Sequence, residues 1–105
     1  AEILIMDEPT ANLDFGNQQR VLAQIRALTT RGYTVLLSTH NPEHALRYAH
    51  RVLALQGGHI AADGPTETAL TPQLLQTLYG IQAILAEVPT DHGTVRSLIV
   101  TEDME

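Results

Sequence analysis

The 105-residue chain is 44% hydrophobic and carries a formal net charge of −6, its basic residues being six arginines and no lysine. That balance describes a folded segment with a core rather than a disordered one, and it disfavours a groove for a nucleic-acid backbone. Cysteine is absent, which excludes a disulfide framework, a thiolate metal site and a cysteine nucleophile.

The chain opens on ILIM, Ile3 to Met6, followed at once by Asp7, Glu8 and Pro9. A short apolar run bounded by turn residues predicts a strand buried on both faces. Pro9 has no N–H and pushes Glu8 toward an extended conformation, so the strand is expected to end there. The two acids then lie at the carboxyl end of a buried parallel strand, where open α/β sheets bind ligands. A magnesium nucleotide explains why a site needs two adjacent carboxylates. One can hold Mg²⁺, which prefers hard oxygen ligands, and the other can orient or deprotonate the water that attacks a terminal phosphate. Successive residues of an extended chain point different ways, so Asp7 is assigned to the metal and Glu8 to the water. For an acid pair in isolation, a solvated turn is the plainer reading.

Asp14 is placed to cap a helix beginning near Phe15, with Val21, Leu22, Ile25 and Leu28 forming one apolar stripe. Arg31 in the last turn and Gly32 after it suit the helix end. Tyr33 to Leu37 reads as a second buried strand, which makes a βαβ unit with a right-handed crossover. If the two strands are parallel neighbours, His40 arrives at the same edge as Asp7 and Glu8. An imidazole there can donate to a phosphate oxygen or hold the water and Glu8 in register; a histidine that only satisfies the loop backbone is the alternative.

Asn41 and Pro42 predict the cap and first residue of a short helix running to about His50. His44 and His50 are expected on its surface. With His40 they invite a zinc reading, which is set aside because no carboxylate or cysteine set accompanies them. Val52 to Leu55 and Ile60 to Ala62 predict a hairpin turning at Gly57-Gly58, closed by Asp63-Gly64-Pro65. A helical turn is expected over residues 66–70, then a helix capped by Thr71-Pro72 and stopped at Tyr79-Gly80, with Leu74, Leu75 and Leu78 on its apolar face. Ile81 to Val88 and Thr94 to Thr101 are expected to pair across Pro89 to Gly93. The end, Glu102-Asp103-Met104-Glu105, reads as a solvated acidic tail.

The run ILIMDEPT-ANLD resembles the Walker B strand and D-loop of ATP-binding-cassette (ABC) ATPases. Ser38-Thr39-His40 resembles their switch-histidine loop, and the likeness continues through Gly64-Pro65 and LTPQLLQTLYGI, the last similar to the subfamily that energises uptake of iron chelates, haem and cobalamin. The fold this implies is α/β: the C-terminal part of a P-loop NTPase domain, with a parallel βαβ core followed by a hairpin and short helices, across residues 1–105. The resemblance implies ATP and Mg²⁺ as cofactors, Glu8 and His40 as catalytic residues and Asp7 on the metal. It implies that Asp14, besides capping its helix, makes contact across the dimer boundary, and it places Asp14 with Asp7 among the cofactor-binding residues. The implied partners are a second ATPase subunit, membrane permease subunits and, indirectly, a solute-binding protein, at the cytoplasmic face of the membrane; no nucleic-acid partner is implied. No GxxxxGK[ST] occurs in these residues, nor a glutamine loop or LSGGQ-type signature. In the family these precede Walker B, so the chain is expected to be the later part of a longer subunit and inactive by itself. Two other readings stay open: a DNA-repair or chromosome-maintenance ATPase of the same superfamily, and a non-catalytic, self-associating fragment.

Overall fold

The structure, a computed structural model, describes residues 2–103; Ala1, Met104 and Glu105 lie outside the described residues. The chain divides into two compact units, Ala1–His44 and Ala45–Glu105.

In the first unit, strand β1 (Ile3–Asp7) leads through helix α1 (Phe15–Thr30) to strand β2 (Thr34–Ser38). The strands pair in parallel, Ile3 opposite Thr34 through to Asp7 opposite Ser38, so the expected βαβ unit forms with both carboxyl ends at one edge. Helix α1 starts where Asp14 accepts the Asn17 N–H at 2.8 Å, satisfying a donor that the first turn leaves without an intrahelical partner. It ends as the Gly32 and Tyr33 N–H groups return to the carbonyls of Thr29 and Leu28, a pairing that satisfies acceptors of the last turn. Arg31 is the cap residue, one place beyond the last turn expected for it.

Leu22 and Ile25 are buried on α1, with Val21 and Leu28 half-buried beside them. Both strands, however, alternate: Leu4, Met6, Val35 and Leu37 are half-buried, whereas Ile3, Ile5 and Leu36 are 60–77% exposed. The expectation of strands buried on both faces is therefore corrected. The pleat sends alternate side chains to opposite faces, and among the described residues nothing covers the face that carries Ile3, Ile5 and Leu36.

Helix α2 (Pro42–Tyr48) follows β2 and carries the division between the units. Asn41 accepts the Glu43 N–H at 3.0 Å, the cap expected of an Asn-Pro start.

Among the described residues the second unit holds, after the end of α2, two antiparallel hairpins and two further helices. Strands β3 (Arg51–Gln56) and β4 (His59–Pro65) join at Gly57 and Gly58, whose φ values of 57° and 78° suit a two-residue turn that matches strand twist. Both strands are longer than expected, and Asp63-Gly64-Pro65 lies inside β4, paired to Leu53, Val52 and Arg51. Helix α3 (Thr66–Ala69) is a single turn. Helix α4 (Pro72–Tyr79) is capped by the Thr71 hydroxyl, which accepts the Leu74 N–H at 3.1 Å. Gly80 then takes a left-handed conformation, φ 67°, that a side chain would disfavour. Strands β5 (Ile81–Thr90) and β6 (Gly93–Asp103) form a long hairpin in which Glu102 and Asp103 pair with Gln82 and Ile81. The acidic end is thus in the ladder as far as Asp103, not a tail; the Met104 and Glu105 part of that expectation lies outside the described residues.

The core of this unit is Leu46, Leu70, Leu74, Leu75 and Ala83, with Val52, Ala54, Leu78, Leu85 and Leu98 packed around it. Leu75 is fully buried, and burying such a side chain contributes about 1.5–3 kcal/mol. Among the described residues no helix is long and apolar enough to cross a membrane.

Leu75→Ala is expected to destabilise the fold by about 2–5 kcal/mol through lost burial and the cavity left behind. Leu53→Ala, at a residue 55% exposed, is expected to cost much less. Denaturant midpoints of the two variants check the contrast, and equal losses would contradict the core as described.

Candidate functional site

Register places Asp7 directly across from Ser38 at the carboxyl edge of the parallel pair. The Ser38 hydroxyl accepts the Glu8 N–H at 3.0 Å and donates to Asp7 Oδ1 at 2.6 Å. The directions are forced, because a backbone amide can only donate and an ionised carboxylate can only accept. The Glu8 N–H also reaches the Ser38 carbonyl at 3.2 Å. One serine therefore ties both acids to the end of the second strand.

Glu8 has a φ of 45°, so the expected extended conformation before Pro9 is corrected. Its N–H is held by Ser38 and its carbonyl accepts the Ala11 N–H at 3.0 Å. Together these bonds close a tight turn and outweigh the local preference of a residue before proline. The loop continues through Asn12, also left-handed at φ 64°, a conformation asparagine tolerates better than most residues. Gln18, one turn into α1, donates to the carbonyls of Thr10 at 3.4 Å and Leu13 at 3.2 Å. The loop is thereby fastened to the helix that follows it.

His40 is brought to Glu8: His40 Nε2 lies 3.5 Å from Glu8 Oε1. The imidazole side chain is 86% exposed and the carboxylate 43%. Such a pair, charged only when the imidazole is protonated, contributes about 0–1 kcal/mol in high dielectric. A cleft of about 330 Å³ opens here, bordered by Glu8, Thr10, Ala11, Gln18, Thr39, His40, Asn41, Pro42 and His44. Asp7 and Asp14 are not among the lining residues; the Asp14 carboxylate is engaged with the Asn17 N–H.

His44, expected on the surface, is 7% exposed, with Nε2 3.3 Å from Asn41 Nδ2. The reason is local: the Asn41 cap and the first turn of α2 bring position 44 to the cleft side, beside the loop that Gln18 fastens. His50 is exposed. Sequence reasoning gave Ser38 no separate role and missed Gln18 altogether. The signal for Ser38 was the pairing of two five-residue strands, which sets it opposite Asp7; Gln18 left only a weak one, its place one turn after the Asp14 cap.

The donor set suits a hard cation. Asp7 and Glu8 offer carboxylate oxygens, and the chain has no thiolate to favour a softer metal. Among the described residues no group of three or more His, Cys, Asp or Glu is arranged to hold a metal. Mg²⁺ does not require such a cage, because it is commonly bound by one or two carboxylates with water and substrate phosphates. A larger hollow of about 450 Å³ in the second unit is bordered by β4 and the α3–α4 segment. Its one carboxylate, Asp63, is already paired with Arg51 at 3.0 Å, and it offers no comparable set of groups.

No protein-family model matches the chain. The chain is 41% identical over 95 residues to the phosphonates import ATP-binding protein PhnC 2 of Cupriavidus necator, covering 87% of this chain and 33% of that protein. It is 39% identical over 87 residues to the hemin import ATP-binding protein HmuV of Deinococcus radiodurans, covering 83% and 33%. It is 33% identical over 104 residues to the iron(3+)-hydroxamate import ATP-binding protein FhuC of Bacillus subtilis, covering 98% and 38%. Among solved structures, a chain of an assembly described as an inward-facing ABC transporter of metal-chelate type matches with a TM-score of 0.83 at 25% identity. That match covers 94% of this chain and 40% of the other. The chain spans about a third of the length of the curated relatives it matches. By sequence and by its mixed α/β fold, this chain belongs to the ABC transporter ATP-binding protein family.

Proposed function

We propose that the protein of which this chain forms part hydrolyses ATP to drive import of a metal chelate or similar solute. The observation that carries the reading is the meeting of Asp7, Glu8 and His40 at one edge of a parallel strand pair, beside an open cleft. The relatives' printed names, ATP-binding proteins for phosphonate, hemin and iron(3+)-hydroxamate import, support it. The chelate class draws support from the latter two and from the metal-chelate type of the matching structure.

In this reading Asp7 is the Mg²⁺ ligand of the chain. Bound Mg²⁺ neutralises charge on the terminal phosphates. Glu8 accepts a hydrogen bond from the attacking water and takes its proton or orients it. His40 holds Glu8 and that water in register or donates to a phosphate oxygen, where charge grows as the bond to the leaving group breaks. Asp14 keeps the loop fixed to α1 and faces a second ATPase subunit. The cradle for the remaining phosphates is assigned to another part of the protein, since no GxxxxGK[ST] occurs here. Permease subunits and a solute-binding protein complete the proposed assembly, at the cytoplasmic face of a membrane.

A second reading, self-association of the isolated chain, is favoured by exposed Ile3, Ile5 and Leu36 on one sheet face. Native mass measurement distinguishes it: dimers or larger species that Ile5→Ser disperses would support association, and a monomer at micromolar concentration would end it.

Glu8→Gln in the whole protein is expected to leave ATP binding nearly unchanged while lowering steady-state hydrolysis about 100-fold or more, within the range general acid–base groups supply. Turnover near that of the unaltered protein would refute the Glu8 assignment. His40→Ala is expected to lower kcat by about 10² or more with a much smaller change in nucleotide affinity, because the imidazole matters most as charge develops. Loss of affinity with unchanged kcat would count against it. Binding titrations beside turnover assays separate the two.

A further inference from the structure

We propose that Ser38 is a positioning residue for the metal-holding carboxylate. Its hydroxyl fixes which way Asp7 presents itself and ties that orientation to the backbone of Glu8. The inference rests on the reading of Asp7 as the Mg²⁺ ligand and adds a residue that the reading itself did not use.

Serine offers one proton and two acceptor lone pairs. The Glu8 N–H occupies a lone pair at 3.0 Å, and the proton goes to Asp7 Oδ1 at 2.6 Å, the short range of a bond to an ionised acceptor. Asp7 is exposed, as is Ser38. A short exposed carboxylate at a strand end otherwise samples several rotamers, and each wrong one must be given up when a cation binds. Holding Oδ1 leaves Oδ2 as the oxygen presented outward. The same hydroxyl binds the amide of Glu8, so the orientation of one acid and the backbone placement of the next share a single anchor. Groups that hold a metal's ligands in this way commonly govern metal affinity without touching the metal. Alanine at this position removes both bonds while the register Asp7–Ser38 and the Glu8 N–H to Ser38 carbonyl bond at 3.2 Å remain. The defect is therefore local to the carboxylate.

The test uses the whole protein and measures ATP hydrolysis against Mg²⁺ concentration at saturating nucleotide, with nucleotide binding measured separately in EDTA. Ser38→Ala is expected to raise the Mg²⁺ needed for half-maximal turnover about 10-fold, in the lower part of the range seen for such supporting groups. Metal-free nucleotide binding is expected to stay within about twofold of its original value. Ser38→Thr, which keeps the hydroxyl, is expected to restore the original Mg²⁺ dependence. If Ser38→Ala does not fold, Ser38→Cys takes its place, since it nearly keeps the volume and donates only weakly. Asp7→Asn serves as the control that separates the role of Ser38 from that of Asp7. A shift in Asp7→Asn with none in Ser38→Ala overturns the role of Ser38 and leaves the Asp7 assignment standing. No shift in either overturns both. Equal shifts in Ser38→Ala and Ser38→Thr also overturn the proposal, because packing rather than the hydroxyl would then set the effect.

Discussion

Everything at the candidate site depends on a parallel register. Asp7 meets Ser38 only because β1 and β2 run the same way and end together. A slip of one residue would turn each side chain to the other face of the sheet. The serine would then point away from the acid and His40 would leave Glu8. Helix α1 is what permits the parallel arrangement, since a crossover of this kind needs a dozen or more residues. Its sixteen residues span about 24 Å at 1.5 Å each, enough to return the chain alongside the first strand. The cap at Asp14 and the Gln18 bonds to the loop carbonyls then decide how the chain leaves β1. Fold and site are joined through these few polar contacts more than through the apolar core.

The apolar residues describe a different constraint. The β1–β2 pair carries half-buried Leu4, Met6, Val35 and Leu37 on one face, and exposed Ile3, Ile5 and Leu36 on the other. Fully covering a side chain such as Ile5 or Leu36 is worth about 1.5–3 kcal/mol. A sheet of this composition is therefore suited to being covered on both sides. The chain spans about a third of the length of its curated relatives, which gives that composition a natural context. The second unit shows the other case, where Leu75 and its neighbours close a core within their own hairpins and helices.

Much of this was legible because local chemistry and tertiary context agreed. Asp14, Asn41 and Thr71 cap helices in the sequence and in the structure, and Gly57-Gly58 and Gly80 take the left-handed conformations their positions require. The convergence of Glu8 and His40 was legible for the same reason: each follows a short apolar run, and parallel strands deliver their ends together. The misreadings arose where a long-range bond or a missing neighbour overrode local preference. Glu8 is left-handed because bonds to Ser38 and Ala11 prevail over the effect of Pro9. His44 is buried because α2 brings it to the cleft side, which helical spacing alone does not reveal. The strands of the β5–β6 hairpin run on because their ladder continues past the turn residues that suggested an earlier stop. Composition could not report the exposed sheet face, since an apolar strand reads the same whether or not something covers it.

The energetics at the strand ends argue for the functional reading. Glu8 occupies a region that non-glycine residues avoid, at a cost of order 1–3 kcal/mol. Its ion pair with His40, largely in solvent, returns at most about 1 kcal/mol. Stability alone therefore gives no reason to keep a glutamate in that conformation, because glycine would adopt it with less strain. What the conformation does achieve is geometric. It turns the chain at the end of β1, so that Asp7 stays against Ser38 while the next carboxylate reaches the imidazole. Two neighbouring acids with different partners are what the proposed division of labour between metal and water would call for, and the turn at Glu8 supplies that separation.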